Sequence, residues 1–506
     1  MDSPPPLLQI SRRLRIFGAV TVVTLIATYI HLRPQWHEYR DYYEDVTSYL
    51  SRPAYDATPY NHSNESLAHK QHNSSDPCAR FPDTDGILLV MKTGATEAFD
   101  RMPTQLLTTM SCLPDNFLIF SDMEQQIGRY HIYDALTEVD DADKAKNADF
   151  DLYRTQQECP VSQTLCIDAK SERQKAWNLD KYKFLPMLEQ TWRMRPGRDW
   201  YIFAEADTYI FWANMMHWLK KKSGLNPREK IYLGSRSFVS NRPFAHGGSG
   251  YILSGAVLKH LVEKHTGLTS QYTETATHEC CGDLLVALAL DEHEGITIRQ
   301  TWPMINGEKP STLPYSQNHW CEPILTMHHM NPEEISTVWQ FEQTRKSDRI
   351  LMIKDLYESL IAPKMQEIRE NWDNGSDDVC YLNPAPEAQE HADSEARDRQ
   401  KKEEEMSEIE KVAWKSPKNC ARVCETEIPE DSDDREKNQK RSCFQYRWHD
   451  EVCCTSRSFK LGEPKPKPAD DNKKARWTSG WYMKGIQDWI DAMGECKEPA
   501  WKIPEL

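Results

Sequence analysis

The sequence predicts an α/β protein: a Rossmann-type domain with a mainly parallel sheet, preceded by a single N-terminal transmembrane helix and followed by a small disulfide-rich module. Three observations lead there. Short apolar runs, each closing on polar residues, alternate with helix-like segments between Gly86 and Asp207. One uncharged apolar run stands near the N-terminus, and cysteines gather toward the C-terminus. The 506 residues also exceed what one hydrophobic core usually organises, which favours more than one folded unit.

The first element is Ile16 to Leu32, which contains no Asp, Glu, Lys or Arg. As a helix it spans about 26 Å, near the lower limit for crossing a bilayer. Arg12, Arg13 and Arg15 precede it, and Glu38, Asp41 and Glu44 follow. The positive-inside bias therefore leaves residues 1–15 as a cytoplasmic tail and sends the rest across. The alternative is a cleaved signal peptide, but no small-x-small cleavage site precedes the polar stretch. Residues 33–80 are polar and aperiodic, a luminal stem. Sequons stand at Asn61, Asn64, Asn73 and Asn374, the first three clustered in that stem. The fourteen cysteines include no C-x-x-C pair of zinc-ribbon spacing, so disulfides are the expected use.

Order begins with Gly86 to Lys92, an apolar run ending in the Thr93-Gly94 turn, as a buried parallel strand would. A helix-like stretch to Met110 follows, then a second strand from Asn116 to Asp122. After the amphipathic segment Trp177 to Trp192 comes a third strand, Asp199 to Asp207. Ligands of parallel sheets bind beyond the carboxyl ends of the strands, where Asp122, Glu205 and Asp207 fall. This domain is expected over residues 81–375. Residues 376–415 read as a charged helical linker, since Glu387 to Lys415 is densely charged and free of glycine. Residues 416–500 form the cysteine-rich unit, with Cys420, Cys424, Cys443, Cys453, Cys454 and Cys496. The net charge of −16, without a basic patch, excludes nucleic acid as the expected partner.

Glu205-Ala206-Asp207 offers two carboxylates on one face of an extended chain. Hard cations such as Mg²⁺ or Mn²⁺ prefer such oxygens, and Mn²⁺ also accepts imidazole. Alone, the triplet is a weak signal and reads more readily as a solvated strand end.

Its context is more specific. Trp200-Tyr-Ile-Phe-Ala-Glu-Ala-Asp-Thr-Tyr-Ile210 is similar to a strand of the form W-F-x-K-A-D-D-D-T-Y-V. Tyr232-Leu-Gly234 and Gly247-Gly-Ser-Gly-Tyr-Ile-Leu-Ser254 follow, like Y-x-G and G-G-A-G-Y-V-L-S. Cys280-Cys-Gly-Asp283 is similar to C-x-E-D, Cys321 to His329 to C-S-D-L-x-V-S-F-H, and Phe117 to Asp122 to F-I-F-T-D. Taken in chain order, over about residues 81 to 350, they resemble glycosyltransferase family 31, especially its core 1 β1,3-galactosyltransferase and Fringe branch.

The resemblance implies a GT-A-like domain in a single-pass type II protein of the Golgi or early secretory pathway. It implies inverting, Mn²⁺- or Mg²⁺-assisted transfer of a hexose, galactose by family weight, from a UDP-sugar. The product would be a β1,3 linkage on a glycan or glycoprotein acceptor such as an N-acetylgalactosaminide. Asp207 would be the direct metal ligand, with His329 the second, or His328 if the register slips by one. Asp283 would be the catalytic base, its bland alternative being a helix N-cap. Gly247, Gly248 and Gly250 would let the backbone approach donor or acceptor; otherwise they form an ordinary turn. Asp122 would contact uridine or ribose, Lys181 or Lys183 the diphosphate, and Glu205 a water or the ribose. Where the family has Asp-x-Asp, this chain has Glu205 and Ala206 before Asp207, which leaves the donor sugar open. Cys443-Phe-Gln-Tyr446, Lys460-Leu-Gly462 and Trp477-Thr-Ser-Gly-Trp481 resemble a PAN/Apple module; a plain disulfide-braced extension is the alternative. A homodimer is a further expectation. The competing expectation is a catalytically silent relative serving as a chaperone or glycan-binding partner.

Overall fold

Ile87–Lys92 (β1) is apolar along its length because both of its faces are covered. In a computed structural model of the chain, Leu88 and Val90 face one core with Phe120, Tyr201 and Phe203. Ile87, Leu89 and Met91 face a second core with Ile119, Trp200 and Ile202. This alternation is the period of a strand buried between two helical layers. Helix Ala98–Leu107 (α1) supplies Met102 and Leu106 to the second core. Phe184–Met194 (α2), Gly255–Lys264 (α3) and Gly282–Glu294 (α4) supply the first.

The structure describes residues 76–504 apart from 114–115, 169, 317, 346–348, 427–442 and 469–474. The expected membrane span at 16–32, the stem up to residue 75 and three of the sequons lie outside the described residues. Among the described residues, no helix is long and apolar enough to cross a membrane.

Eight strands form the main sheet. Their order is Arg299–Gln300, Tyr232–Gly234, Tyr251–Ser254, Trp200–Glu205, β1, Phe117–Ser121, Tyr130–Asp134 and Gln125–Ile127. Phe117–Ser121 is β2, Trp200–Glu205 is β3 and Tyr251–Ser254 is β4. β1 runs parallel to β2 and β3, whereas β4 runs antiparallel to both of its neighbours. The expected α/β class with a mainly parallel sheet holds. Register places Lys92 opposite Glu205, so β1 and β3 end together on charged residues.

A second, five-stranded antiparallel sheet has the order Ile368–Glu370, Thr478–Trp481, Gln445–His449, Val452–Ser456, Val379–Leu382. It therefore draws strands from residue 368 onward, and the stretch read as a charged linker contributes Val379–Leu382. Helix Met483–Met493 packs Ile486 and Trp489 into a cluster with Tyr209, Phe211, Tyr315, Trp320 and Phe459, joining the two sheets' surroundings.

All fourteen cysteines are paired, as the disulfide reading expected. The pairs are Cys78–Cys112, Cys159–Cys166, Cys280–Cys281, Cys321–Cys496, Cys380–Cys454, Cys420–Cys453 and Cys424–Cys443. Two of them, from Cys321 and Cys380, reach into the C-terminal unit from before it. The Asn374 sequon is corrected: its side chain is buried and its amide donates to the Tyr446 carbonyl at 3.0 Å. A buried, bonded amide leaves no acceptor for an oligosaccharide in the folded protein.

Candidate functional site

Beyond β3 the chain turns through Ala206, Asp207 and Thr208. Buried Gln105 of α1 holds this turn by donating to the Ala206 and Thr208 carbonyls, both at 2.9 Å. Tyr209–Ile210 then pairs antiparallel with Thr326–Met327, Met327 opposite Tyr209. The ladder brings the next residue, His328, beside Asp207, and the Met330 N–H donates to the Asp207 carbonyl at 3.0 Å. His328 Nε2 lies 3.1 Å from Asp207 Oδ1. His329 has φ of 59°, a left-handed conformation uncommon for a residue with a Cβ. Asp207, His328 and His329 each offer one donor atom, all within 4.8 Å of one another. His328, the fallback in the sequence reading, is the buried histidine of the pair; His329 is exposed.

These groups fit a divalent cation. Both His328 ring nitrogens are buried and make no hydrogen bond of good geometry. The 3.1 Å between Nε2 and Oδ1 matches adjacent donors in an octahedral shell, about 3 Å apart for bonds of about 2.1 Å. Burial works against the charge on His328, but Asp207 and Glu205 outweigh it and lift the ring to about 9.

A line of alternating charges runs away from this point. Asp207 Oδ2 meets Arg101 Nη1 at 2.6 Å, and Arg101 Nε meets Glu97 at 2.9 Å. Glu205 lies 3.1 Å from Lys92 Nζ and 3.7 Å from His328 Nε2. Burial raises the Glu205 carboxyl, yet Lys92 and His328 prevail and hold it well below the usual range. Lys92 also pairs with Asp180 and sits over the Phe184 ring. Asp180 in turn holds Lys183 at 2.7 Å.

The other expected site residues separate. Lys183 joins this line, also donating to the Thr93 carbonyl at 2.9 Å. Lys181 lies elsewhere, 3.1 Å from Asp149 and 3.3 Å from the Glu279 carbonyl. Asp122 is buried and occupied: it accepts from the Ala95 N–H at 2.8 Å and from Gln156 Nε2 at 2.6 Å. It thereby braces the turn after β1.

Asp283 lies in the first turn of α4, whose N-cap is Cys281, so the capping alternative is shifted by two residues. Its carboxylate accepts from the Gly247 N–H at 2.7 Å and from the Leu284 N–H at 2.9 Å. Burial pushes the carboxyl up to about 6, against the pull of the Gly247 bond. The adjacent Cys280–Cys281 disulfide sits at the head of this helix.

The glycine turn links both halves of the site. Gly247 touches Asp283, and Thr208 Oγ1 donates to the Gly248 carbonyl at 2.7 Å. A Cβ on Gly248 would lie 2.2 Å from His328 Cε1, and one on Gly247 would press on the Phe184 ring at 3.1 Å. Gly250 has φ of +86°. The close approaches seen are thus to the protein's own side chains. Gly248→Ala is expected to push His328 aside and weaken Mn²⁺ binding about 10–100-fold, the range for displaced supporting groups. A Mn²⁺ titration followed by electron paramagnetic resonance checks this; unchanged affinity would show that the ring yields without leaving Asp207.

Lys92, Arg101, Gln105 and Asp180 were missed by sequence reading. Only Lys92 carried a signal, a cation closing an otherwise apolar strand. No protein-family model matches the chain.

Proposed function

We propose that the chain is a divalent-cation-dependent, inverting glycosyltransferase that moves a hexose from a UDP-sugar to a hydroxyl of a glycan or glycoprotein. The observation that carries this reading is the meeting of Asp207 and His328 at 3.1 Å beyond the end of a parallel strand. A bound Mn²⁺ or Mg²⁺ would supply neutralisation of the departing diphosphate. Asp207, His328 and His329 would hold it. Arg101, partly exposed beside Asp207, offers a cation to the phosphate oxygens. Lys92 and Lys183, both paired with Asp180, hold Glu205 and Asp122 in place instead of reaching donor.

Asp283 takes the proton of the acceptor hydroxyl as that oxygen attacks the anomeric carbon. A base whose carboxyl sits near 6 is ionised at neutral pH while remaining a competent proton acceptor. A GT-A-like catalytic domain, β1,3 linkage, galactose as sugar, Golgi residence and a transmembrane anchor belong to the same proposal. They rest on the ordered motif resemblance, as does a PAN/Apple-like C-terminal sheet.

One observation favours the silent-relative reading: Arg101 and Lys92 pair with Asp207 and Glu205. UDP-sugar hydrolysis across donors, with Mn²⁺ and with chelator, separates the two. Turnover that chelator abolishes supports the enzyme. Neither turnover nor donor binding with any UDP-sugar would sink it.

A further inference from the structure

A second group of metal-ligating side chains lies away from the Asp207 site, where two helices end together. α3 carries His260 and stops at His265, its C-cap; α4 carries His293 and Glu294 in its last turn. His260 Nδ1 lies 2.6 Å from Glu294 Oε1, and His265 Nε2 lies 3.7 Å from the same oxygen. One donor atom from each of the three residues lies within 4.8 Å of the others. We propose that His260, His265 and Glu294 form a structural zinc site that ties the end of α3 to the end of α4.

The surroundings favour a cation of this type. Two imidazoles and one carboxylate are a borderline-soft set, suited to Zn²⁺ and poorly suited to Mg²⁺ or Ca²⁺. With bonds of about 2.0–2.2 Å, a tetrahedral shell spaces its donors about 3.4 Å apart. The three donors therefore need only small side-chain rotations to close on one ion, with a water as fourth ligand. The Glu294 side chain is fully shielded, and its Oε2 is held by Lys230 Nζ at 2.6 Å, which aims Oε1 at the histidines. The His293 ring stacks on His265 with centroids 4.2 Å apart, fixing the plane of that ligand. Both helices also direct their electronegative C-terminal ends here, which favours positive charge.

The bland alternative is a hydrogen-bonded brace of His260, Glu294 and Lys230 with no metal. Zn²⁺ alone is the probe, titrated into the chelator-treated full chain carrying Asp207→Ala so that the first site does not contribute. The expected result is one tight equivalent of Zn²⁺ and a rise in melting temperature on adding it, by the mass action of binding to the native state. His265→Ala in that background is expected to lose the equivalent and the rise. His265 is partly exposed, so its zinc-free melting temperature should match that of the parent. Should the alanine variant fold poorly, His265→Gln is read in the same way. Co²⁺ in place of Zn²⁺ is expected to give the visible bands of tetrahedral coordination. The brace alone is established, and the proposal overturned, if the parent retains no equivalent or if the His265 variants bind and respond as it does.

Discussion

Asp207→Ala is expected to reduce metal-dependent turnover of a UDP-sugar by about a thousandfold or more. Under the proposed function, losing a cation ligand would remove about 4 kcal/mol or more of charge stabilisation at the leaving diphosphate, at 1.36 kcal/mol per tenfold. The substitution also strips partners from two neighbours. Arg101 is partly exposed and can turn to water, so its loss of Asp207 costs little. His328 is buried, and it keeps only the more distant Glu205. The fold should survive, because the Asp207 backbone, not its side chain, carries the bond to Met330. Glu205→Gln is the informative contrast. Its Oε1 is committed to Lys92, so the variant is expected to keep Mn²⁺ binding and lose much less activity. Steady-state kinetics across Mn²⁺ concentrations, paired with melting curves, distinguish the variants. Full activity in Asp207→Ala would refute the site, and equal losses in both variants would assign the cation to the pair.

The strands near the site were legible because their residues obey a single period with both faces apolar: Ile87 to Met91 and Trp200 to Ala204 could be read without knowing their neighbours. The glycine turn was legible as a turn, but its purpose was not. Whether Gly248 faces a ligand or His328 depends on a ladder between Tyr209–Ile210 and Thr326–Met327, residues far apart in the chain. The same ladder decides which histidine meets Asp207, and adjacent residues look alike to a local pattern. Ion pairs were the least legible. Arg101 and Asp180 stand on helices with ordinary charged sequences, and only the packed fold carries them to Asp207 and Lys92. The extent of the C-terminal unit failed to show for a related reason. Cysteine pairing cannot be deduced from spacing, so the ties from Cys321 and Cys380 were invisible. The buried Asn374 shows the converse: a short motif matched where tertiary burial forbids its chemistry.

For Asp283→Asn the expectation is donor binding retained and transfer reduced about 10²–10⁴-fold, the usual contribution of a positioned base. The asparagine carbonyl can still accept from the Gly247 N–H, so the turn that supports His328 keeps its brace. The pH profile is the sharper test. With the wild-type carboxyl at about 6, kcat/KM should be flat above that pH and fall about tenfold per unit below it, as protonation removes the base. Stability moves in the opposite direction. Between about pH 4 and 6 the unfolded carboxyl has lost its proton while the buried one keeps it, so the native state binds more protons. Stability therefore falls as pH rises through that window, by an amount on the order of 3 kcal/mol for a shift from 3.8 to about 6. Asp283→Asn should erase both features, flattening the acid limb of its residual activity and that share of the pH dependence of melting. A variant that lost transfer but kept the acid limb would place the base elsewhere. A variant that could not fold at any pH would make simultaneous acceptance from the Gly247 and Leu284 N–H groups, which one amide oxygen cannot reproduce, the residue's whole role.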